Sequence, residues 1–482
     1  MLAINELKKQ KLLDYETDMT HVHFIGIGGS GLSAIARLLL ESGYTVSGSD
    51  RALSPFVDEV RKAGAKVFIG HHPRNLAGAD WVVKSSAIPD DNPEVRAAKR
   101  TGIPVYKRAD FLGQLMADKT GIAIAGTHGK TTTTAMTAWV LHELGREPSF
   151  IVGSVMNNLG VNARAGKGQL FVIEADEYDN MFLGLRPHIA VVTSVEHDHP
   201  DFFPTPESIY SAFEKFVDLL PPDGTLIACA EDVGAAALIT HTRKQGINVI
   251  SYSVQGEMTI NSPNWVQASR LKPNYRGGFD FVALSNLGDK SGDSVPISLQ
   301  VPGEHNVRNA LAVLAIVDLL GLSYEKAVKA LSEFTGTARR FQLRGEVNGI
   351  SIIDDYAHHP TEIKATLAGA RARYPDRRIW AVWQPHTYSR TQTLFLEFAR
   401  AFKDANEVIV TEVYAAREPK QDFTSAEIVS TMPHLSARYI KTLPEVTKYL
   451  FENLRSGDVV LVLSAGDADQ ISTDLLNFLS ER

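Results

Sequence analysis

Cysteine is scarce in this sequence, and long apolar runs are missing. Cys229 is the only cysteine among 482 residues, so no internal disulfide can form and a reducing compartment is the expected environment. The longest apolar stretch, residues 310–322, is interrupted by Asp318 and is shorter than the roughly 20 residues that a transmembrane helix needs. The first twenty residues mix lysines with acidic side chains and hold no apolar signal-peptide core. We therefore predict a cytoplasmic protein without a membrane span.

The sequence also lacks an excess of basic over acidic residues. Lys and Arg number 49 against 56 for Asp and Glu, which gives a net charge of −7. Proteins built to hold nucleic acid or anionic membrane usually carry a basic excess, so we predict no nucleic-acid partner. What is present, 44% hydrophobic and 22% charged residues, is average for soluble globular chains. At roughly 150 residues per domain, the length predicts about three domains.

Three segments of the chain each open with a short β-branched run, turn through glycine or aspartate, and continue into an amphipathic stretch. This alternation is typical of parallel sheets, so the predicted fold class is α/β. We place an N-terminal domain at residues 1–116, a central domain at 117–337 and a C-terminal domain at 338–482. Residues 255–298 alternate apolar with polar side chains and are rich in Gly, Ser and Asn, which predicts antiparallel hairpins.

The first glycine-rich turn, residues 26–31, reads GIGGSG between a predicted strand and a predicted helix. Small residues there allow ligand phosphates to approach backbone N–H groups at the positive end of a helix. Asp50 ends the next predicted strand, where dinucleotide-binding folds place an acid for a ribose. The pattern predicts a site for a nucleotide diphosphate without naming the nucleotide. The alternative is a tight turn that merely requires glycine.

The second turn, residues 126–132, reads GTHGKTT between a predicted strand and a predicted helix. Its backbone amides, the Lys130 ammonium and the Thr131 hydroxyl suit ATP phosphates and Mg²⁺. The sequence departs from the usual G-x-x-x-x-G-K-[ST] pattern, because Ile124 occupies the position where that pattern has its first glycine. This turn is nevertheless the strongest functional signal in the chain, with a chance glycine-rich turn as the alternative.

Acidic clusters follow two further predicted strands of the central domain. Residues 174–179 read EADEYD and residues 196–199 read EHDH. Both should lie at the carboxyl edge of the sheet that carries the phosphate loop, where α/β proteins bind ligands. Mg²⁺ prefers oxygen ligands, so Glu174 is a candidate ligand. The neighbouring histidines keep Zn²⁺ open as an alternative, and solvated loops are the ordinary role of such clusters.

Three later motifs carry polar side chains at helix starts or strand ends. Residues 303–309 (GEHNVRN) begin a predicted helix, where Asn306 could serve only as a cap. Residues 352–360 (IIDDYAHHP) and 384–391 (QPHTYSRT) follow predicted strands. Their histidines, with Arg390, could hold a small carboxylate. Each motif alone fits a structural role equally well.

Taken together, the motifs resemble those of the Mur ligases of peptidoglycan synthesis, over about residues 21–470. The stretches that carry the resemblance are HFIGIGGSGLS, SGSD, SSAI, GIAIAGTHGKTTTT, VIEADEYD, VEHDHPD, PGEHNVRNALA, GTARRF, DDYAHHPTEI, QPHTYSRT and SAGDADQ. The set in this order is highly specific, although any single piece is weak. The resemblance implies a Rossmann-like N-terminal domain for a UDP-sugar, a central P-loop ATPase domain, and a Rossmann-like C-terminal domain that closes over ATP and brings an amino acid.

The resemblance also implies roles for individual positions. The catalytic residues would be Lys130, Glu174 and His199, and the Mg²⁺ ligands would be Thr131, Glu174 and His199. ATP would be bound by Gly126, Thr127, His128, Gly129, Lys130, Thr131, Thr132, His305, Asn306, Asn309, Arg340 and Asp355. The UDP-sugar and the amino acid would be bound by Gly26, Gly28, Gly29, Ser30, Gly31, Asp50, Ser85, Ser86, Tyr356, His358, His386 and Arg390.

The reaction that the resemblance implies is ATP-dependent ligation of L-alanine to UDP-N-acetylmuramate through an acyl phosphate, with ATP and Mg²⁺ as cofactors. The amine of alanine would displace phosphate, and His199 and His358 are candidate bases because imidazole titrates near working pH. The resemblance is compatible with a homodimer.

Tyr178 departs from the pattern, because alanine-adding members usually have Ser at this position. A tyrosine here is similar to the member that adds a whole murein tripeptide to the same sugar nucleotide, which is therefore the alternative within the family. Two alternatives belong to other classes. A nicotinamide-dependent oxidoreductase would explain only residues 26–31, and a regulatory NTPase only residues 126–132.

Overall fold

The protein was analysed as a computed structural model, which describes residues 20–254, 263–287 and 294–481. Its contacts divide the chain into two units, Met1–Leu115 with Ala163–Gly166, and Met116–Asn162 with Lys167–Arg482. Three largely parallel sheets flanked by helices confirm the α/β class. No helix in the described part of the chain is both long enough and apolar enough to cross a bilayer.

The first unit is built on a five-stranded parallel sheet. The strands are β1 (His21–Ile25), β2 (Thr45–Asp50), β3 (Lys66–Ile69), β4 (Trp81–Lys84) and β5 (Val105–Lys107), in the order β3-β2-β1-β4-β5. The helices are α1 (Ser30–Glu41), α2 (Pro55–Lys62), α3 (Pro93–Thr101) and α4 (Arg108–Met116), with a 3₁₀ turn at Pro73–Leu76. Strand order reverses at β1, and ligands of open α/β sheets bind at the carboxyl ends of strands at such a point. The glycine turn of residues 26–31 follows β1 directly.

The second unit contains two sheets, of which the first carries the phosphate loop. Its strands are β6 (Thr120–Ala125), β7 (Ser149–Ile151), β9 (Leu170–Glu174), β10 (Ile189–Val192), β11 (Thr225–Cys229), β12 (Asn248–Val254), β13 (Trp265–Pro273), β14 (Phe279–Ser285) and β15 (Ser294–Ser298), whereas the short strand β8 (Ala163–Arg164) groups with the first unit. Within the second unit the order is β15-β14-β13-β12-β11-β10-β6-β9-β7. At one edge of the sheet, β14 pairs antiparallel with both β13 and β15. This agrees with the hairpins expected within residues 255–298. Residues 255–262 and 288–293 of that stretch lie outside the described residues.

The helices of this sheet cover both of its faces. They are α5 (Lys130–Glu143), α6 (Pro206–Val217), α7 (Val233–Lys244), α8 (Glu304–Leu319) and α9 (Tyr324–Glu333), with an irregular 3₁₀ stretch at Tyr178–Gly184. Helix α5 is buried along most of its length, and the indole N–H of Trp139 donates to the Ala330 carbonyl at 2.8 Å. Helix α5 packs between the sheet and α9, and its N-terminus lies shortly after the end of β6.

The second sheet of this unit is six-stranded, in the order β16-β17-β21-β18-β19-β20, and only β16 runs antiparallel to its neighbour. Its strands are β16 (Gln342–Val347), β17 (Ile350–Asp355), β18 (Ile379–Trp383), β19 (Glu407–Val410), β20 (Ala437–Tyr439) and β21 (Val459–Leu463). Its helices are α10 (Pro360–Arg373), α11 (Tyr388–Thr393), α12 (Phe395–Ala399), α13 (Ala426–Thr431), α14 (Leu443–Asn453) and α15 (Asp469–Ser480). Apolar clusters pack on both faces, so the polar residues after β17 and β18 project from its carboxyl edge.

Candidate functional site

The phosphate loop is fixed by the end of the neighbouring strand β10. Gly126 has φ +134°, and a Cβ there would lie 1.9 Å from Thr193 Oγ1. The Thr193 hydroxyl in turn donates to the carbonyl of His128 at 2.5 Å. Gly129, with φ +81°, is the N-cap of α5 and has no side-chain cap. The loop therefore presents the unsatisfied N–H groups of a helix start, which is the arrangement that binds phosphate.

Lys130 makes a buried ion pair with Glu177. Its ammonium lies 2.8 Å from Glu177 Oε2 and donates to the carbonyl of Gly126 at 2.6 Å. Burial alone would lower the pKa of Lys130, but the carboxylates of Glu177, Asp176 and Glu174 outweigh it, and the pKa is raised. Burial raises the pKa of Glu177 to about 7 despite the lysine. Lys130 is thus a permanent cation beside the phosphate loop.

Thr131 and Glu174 face each other across the end of the sheet. The Thr131 hydroxyl donates to Glu174 Oε1 at 2.9 Å, and the N–H of Gly153 donates to Glu174 Oε2 at 2.7 Å. A hydroxyl and a carboxylate oxygen are thereby placed side by side, directly after the phosphate loop. His199, the third predicted metal ligand, lies 3.8 Å from Glu177 Oε1 and 3.3 Å from an Arg390 nitrogen.

A network of histidines and glutamates joins the phosphate loop to α10. His128 Nε2 lies 2.6 Å from Glu196 Oε2, and its Nδ1 lies 3.3 Å from Glu362 Oε1. Burial would lower the pKa of His128, but these two carboxylates outweigh it and raise the pKa to about 9. The Thr361 hydroxyl donates to Glu196 Oε1 at 3.0 Å. Side chains far apart in the sequence therefore bring the loop and the start of α10 together.

A cavity of about 340 Å³ opens between the phosphate loop, α8 and α10, which is within the usual size range of small-molecule sites. Eight predicted ATP-binding residues line it: His128, Gly129, Thr132, His305, Asn306, Asn309, Arg340 and Asp355. Asn306 lies inside α8 and donates to the Pro302 carbonyl at 2.7 Å, so it is not the helix cap. Burial lowers the pKa of His305 to about 4, which keeps its imidazole neutral.

Arg340 and Asp355 reach this cavity from the second sheet of the unit. The Arg340 guanidinium lies 3.5 Å from Thr131 Oγ1 and 5.1 Å from the ring centre of Tyr356. Asp355 accepts hydrogen bonds from the backbone of Phe341 and Ala357, both at 2.8 Å. Burial raises the pKa of Asp355 to about 6, although Arg340 opposes the shift. The predicted C-terminal contributors are thus beside the phosphate loop.

Arg390, which the resemblance placed at the amino-acid end, is buried in an ion pair with Asp198. Its Nε lies 2.6 Å from Asp198 Oδ1, and a second guanidinium nitrogen lies 3.1 Å from His386 Nδ1. The ring centres of His358 and His386 are 5.9 Å apart. Burial lowers the pKa of His358 to about 4 and that of His386 to about 3. Both imidazoles are therefore neutral near pH 7 and weakly basic.

The glycine turn of residues 26–31 belongs to the first unit. The N–H of Gly28 donates to Asp50 Oδ2 at 2.8 Å, so the predicted ribose acid already braces the turn. A Cβ on Gly26 would lie 3.1 Å from Cβ of Ser85, and one on Gly31 would lie 1.8 Å from an Arg108 guanidinium nitrogen. Ser30 and Ser86 are exposed, and Arg108 was not among the predicted residues.

Four further acidic residues of the site were not predicted individually. Glu177, Glu196 and Asp198 lie within the two clusters that the sequence singled out, but nothing in the sequence indicates their partners. Glu362 follows the HHP motif by two residues and completes a capping box at the start of α10. The box pattern alone marks a helix start, and only the fold places its carboxylate against His128.

Comparison with known proteins gives matches along nearly the whole chain. Residues 21–120 match the Mur ligase family catalytic domain, residues 124–317 the Mur ligase middle domain, and residues 339–466 the Mur ligase glutamate ligase domain. A UDP-N-acetylmuramate–L-alanine ligase of Desulfosudis oleivorans is 42% identical over 463 residues, which cover 95% of this chain and 98% of the relative.

Two solved structures are similar over the same extent. The UDP-N-acetylmuramate-alanine ligase of Thermotoga maritima has a TM-score of 0.77 at 30% identity, covering 96% of this chain and all of that one. A murein peptide ligase of Psychrobacter arcticus has a TM-score of 0.69 at 27% identity, covering 96% of this chain and 99% of that one.

Proposed function

Because this chain belongs to the Mur ligase family, we propose that it joins L-alanine to UDP-N-acetylmuramate in peptidoglycan synthesis, as an ADP-forming ligase. The activity named for relatives that match almost the entire chain at about 42% identity supports this substrate pair. A nicotinamide-dependent oxidoreductase would leave the phosphate loop and its Lys130–Glu177 pair without a role. We further propose that the reaction takes place in the cytoplasm.

One structural observation supports the reaction type above all others. The cavity beside the phosphate loop is lined jointly by residues of that loop, such as Gly129, and by Arg340 and Asp355 from the second sheet. A ligase that activates a carboxylate must hold ATP where donors from several elements can stabilise the transferring phosphoryl group. The cavity meets this requirement, because residues of the second sheet line it together with residues of the phosphate loop. A protein that only binds a nucleotide as a switch does not need these additional residues.

The residues around the cavity fit ATP. Gly126 and Gly129 adopt positive φ angles that favour glycine, and their turn leads into the N-terminus of α5, whose N–H groups can bind phosphate. A Cβ on Gly129 would lie 2.8 Å from Asn309 Oδ1, so any larger residue at this position would displace the Asn309 side chain. Lys130 and Arg340 supply positive charge for the phosphates, and Asn306, Asn309 and His305 would border the nucleoside.

The donor set also fits Mg²⁺. Thr131 and Glu174 offer neighbouring oxygen atoms, which a small hard dication prefers. We propose these two as its protein ligands, with His199 completing the set as the resemblance implies. The ion would neutralise phosphate charge when bound, which is the chemistry that it supplies in phosphoryl transfer.

The reaction would proceed in two steps. The lactyl carboxylate oxygen of UDP-N-acetylmuramate attacks the γ-phosphorus of ATP, the bond from that phosphorus to the β-phosphate oxygen breaks, and ADP leaves. The neutral amine of L-alanine then attacks the acyl carbon, and inorganic phosphate leaves as the amide forms. Lys130 and Arg340 hold the phosphoryl group against the repulsion of two anions. His199 and His358 were the candidate acceptors of the amine proton, but burial lowers the pKa of both imidazoles, that of His358 to about 4, so neither is favoured as the base near pH 7.

The remaining assignments belong to the same proposal. The glycine turn of the first unit, with Asp50 and Ser85, would hold the UDP diphosphate. His386 and Arg390 would lie at the amino-acid end, with Arg390 also paired to Asp198. The domain limits at residues 116 and 337, and a homodimer in solution, remain predictions from the sequence.

A murein tripeptide ligase is the second candidate, and Tyr178 favours it. The Tyr178 ring centre lies 5.0 Å from that of His199, and the Arg417 guanidinium lies 4.3 Å from the Tyr178 ring centre. Asp201 holds both, accepting from Arg417 at 2.5 Å and from the Tyr178 hydroxyl at 3.2 Å. These contacts place a bulky side chain beside the predicted acceptor end, so acceptor size must be tested directly.

The deciding experiment measures phosphate release with ATP and UDP-N-acetylmuramate, comparing L-alanine with the murein tripeptide as acceptor. We expect release that depends on both the sugar nucleotide and L-alanine. A second assay traps the acyl phosphate with hydroxylamine, which requires no acceptor. Efficient use of the tripeptide would transfer the assignment to the recycling enzyme, and hydrolysis independent of the sugar nucleotide would reject a ligase.

A further inference from the structure

Three metal-ligand side chains from distant parts of the chain meet beside the phosphate loop. They are His128 in the loop, Glu196 after β10, and His359, the N-cap residue of α10. One ligand atom from each lies within 4.8 Å of the other two. We propose that His128, Glu196 and His359 form a binding site for a transition-metal dication of the Zn²⁺ class, separate from the Mg²⁺ ligands named above.

The donor chemistry selects the class of ion. Two imidazoles and one carboxylate suit Zn²⁺ and its neighbours in the first transition series. Mg²⁺ prefers oxygen donors and retains its waters, so it would compete poorly here. The sequence left Zn²⁺ open for residues 196–199, but only Glu196 of that cluster joins this site. His197 instead contacts the Phe203 carbonyl at 2.8 Å, and Asp198 pairs with Arg390.

The surroundings already orient two of the three ligands. Metal-bound histidines usually donate their other ring N–H to a carboxylate or carbonyl. His128 matches this arrangement, because its Nε2 faces Glu196 while its Nδ1 lies 3.3 Å from Glu362 Oε1. Glu196 Oε1 accepts from the Thr361 hydroxyl at 3.0 Å, which leaves Oε2 directed at the histidines.

His359 is the third ligand and has spare hydrogen-bonding capacity. Only 4% of the residue is exposed, and among the described residues no group bonds its Nε2. Its Nδ1 lies 3.8 Å from Glu196 Oε2 and accepts a long 3.3 Å bond from the Thr361 N–H. A modest ring movement could therefore exchange a weak cap bond for a metal bond.

An ion at this site would tie together parts of the chain that no covalent link joins. His128 and Glu196 belong to loops of the sheet that carries the phosphate loop, whereas His359 begins a helix of the six-stranded sheet. His128 and Glu196 also border the cavity proposed for ATP. The ion would thus hold α10 against the nucleotide site. Without a metal, the same side chains form only a hydrogen-bonded network, so metal binding itself must be measured.

The test is a Co²⁺ titration of the full-length protein without nucleotide, in excess Mg²⁺, followed by visible absorption. We expect one equivalent to bind with the intense d–d bands of four- or five-coordinate Co²⁺, and Zn²⁺ to displace it. Glu196→Gln and His359→Asn should each weaken Co²⁺ binding at least tenfold. Asn is itself a good N-cap residue, so His359→Asn preserves the start of α10.

Two control variants separate this site from other histidines and from the Mg²⁺ site. His434→Asn makes the same chemical change at a half-buried histidine in the loop before β20, and Glu174→Gln alters the proposed Mg²⁺ site. Both should leave the Co²⁺ titration unchanged. The proposal is overturned if no equivalent binds, if Glu196→Gln binds as tightly as the parent, or if Glu174→Gln abolishes binding. None of these outcomes depends on ligase activity.

Discussion

Arg390 donates its Nε–H to Asp198 Oδ1 at 2.6 Å, and both side chains are almost fully buried, at 2% and 4% exposure. The pair joins a loop of the sheet that carries the phosphate loop to helix α11. Burial alone would raise the pKa of Asp198. The positive charge of Arg390 stabilises the ionised carboxylate so strongly that this pKa stays well below its usual range. The ion pair therefore connects these two parts of the fold, and its arginine also lies beside His199.

Removing one partner of this pair should be more damaging than removing both. Arg390→Met leaves a buried carboxylate without its cation, which should lower the free energy of unfolding by about 3 to 5 kcal/mol. Asp198→Asn with Arg390→Met removes both charges and should recover much of that loss. Chemical denaturation of the single and double variants measures the coupling. Strictly additive losses would show that the pair contributes no net interaction.

Lys130→Ala should strongly reduce the rate of ligation without removing sugar-nucleotide binding. The lysine is proposed to stabilise the transferring phosphoryl group, and loss of one such donor typically lowers the rate about 10²- to 10³-fold. Hydroxamate trapping and phosphate release should fall together, since the first step is affected. Lys244→Ala, at the exposed end of α7, is the control. Turnover within tenfold of the parent would contradict the role of Lys130.

Glu174→Gln should raise the Mg²⁺ concentration required for activity. A neutral amide is a poorer ligand for a hard dication than a carboxylate. The amide oxygen can still accept from the Gly153 N–H, and the amide N–H can donate to the Thr131 hydroxyl oxygen, so the substitution removes the negative charge while both neighbours keep a hydrogen-bond partner. Activity against Mg²⁺ concentration at saturating ATP measures the shift. Superimposable curves for parent and variant would exclude Glu174 as a ligand.

Gly29→Ala tests the first glycine turn better than a substitution at Gly28. A Cβ on Gly28 would lie 2.7 Å from Val57 and 2.9 Å from Asp50, whereas one on Gly29 meets only the Gly26 carbonyl, at 3.5 Å. Gly29 also has an ordinary φ of −75°. Gly29→Ala should therefore fold normally and raise the KM for the sugar nucleotide but not for ATP.

Gly28→Ala provides the comparison, because its added Cβ clashes with the protein itself. That variant should lower thermal stability as well as sugar-nucleotide affinity. If Gly29→Ala left both KM values unchanged, the turn would not bind the diphosphate.

The buried carboxylate of Glu94 should make the first unit sensitive to acid. Burial would raise the pKa of Glu94, but His23, followed by hydrogen bonds from Ser49, His72 and Asn75, outweighs it and lowers the pKa to about 2. A lowered pKa in the folded state gives stability that is complete above pH 4.5, the ordinary value, and is lost as the pH falls towards 2. The contribution is roughly 3 kcal/mol at most.

Hydrogen exchange of the amides of β1 and β4 measures this effect in the full-length protein. Protection in the parent should fall between pH 4.5 and 2, whereas Glu94→Gln should be less protected at neutral pH and change little over that range. An equal pH response in parent and variant would assign the acid sensitivity to other carboxylates.

Much of the local structure could be predicted from the sequence. The turns at residues 26–31 and 126–132 were each expected between a strand and a helix, and each follows a strand, β1 or β6, and leads into a helix, α1 or α5. Strand alternation, glycine turns and the Gly-Lys-Thr sequence are short-range signals, because hydrophobic periodicity and turn chemistry act over a few residues. The α/β class was likewise predicted from the alternation of strands and helices. The family and the ligase function were predicted from the order of the motifs along the chain. The individual roles of the site residues stay predictions.

Only the tertiary structure decided which charged groups face one another. His128 meets Glu362 across 234 positions, and Arg390 meets Asp198 across 192. It also inserted β21 between β17 and β18, which the strand patterns could not indicate. Sequence motifs determine where a loop turns and which donors it carries, since those depend on local backbone geometry. The partner of each donor depends on how distant strands are ordered and packed. The free energy that stabilises this packing comes from contacts throughout the chain, so no short motif reveals it.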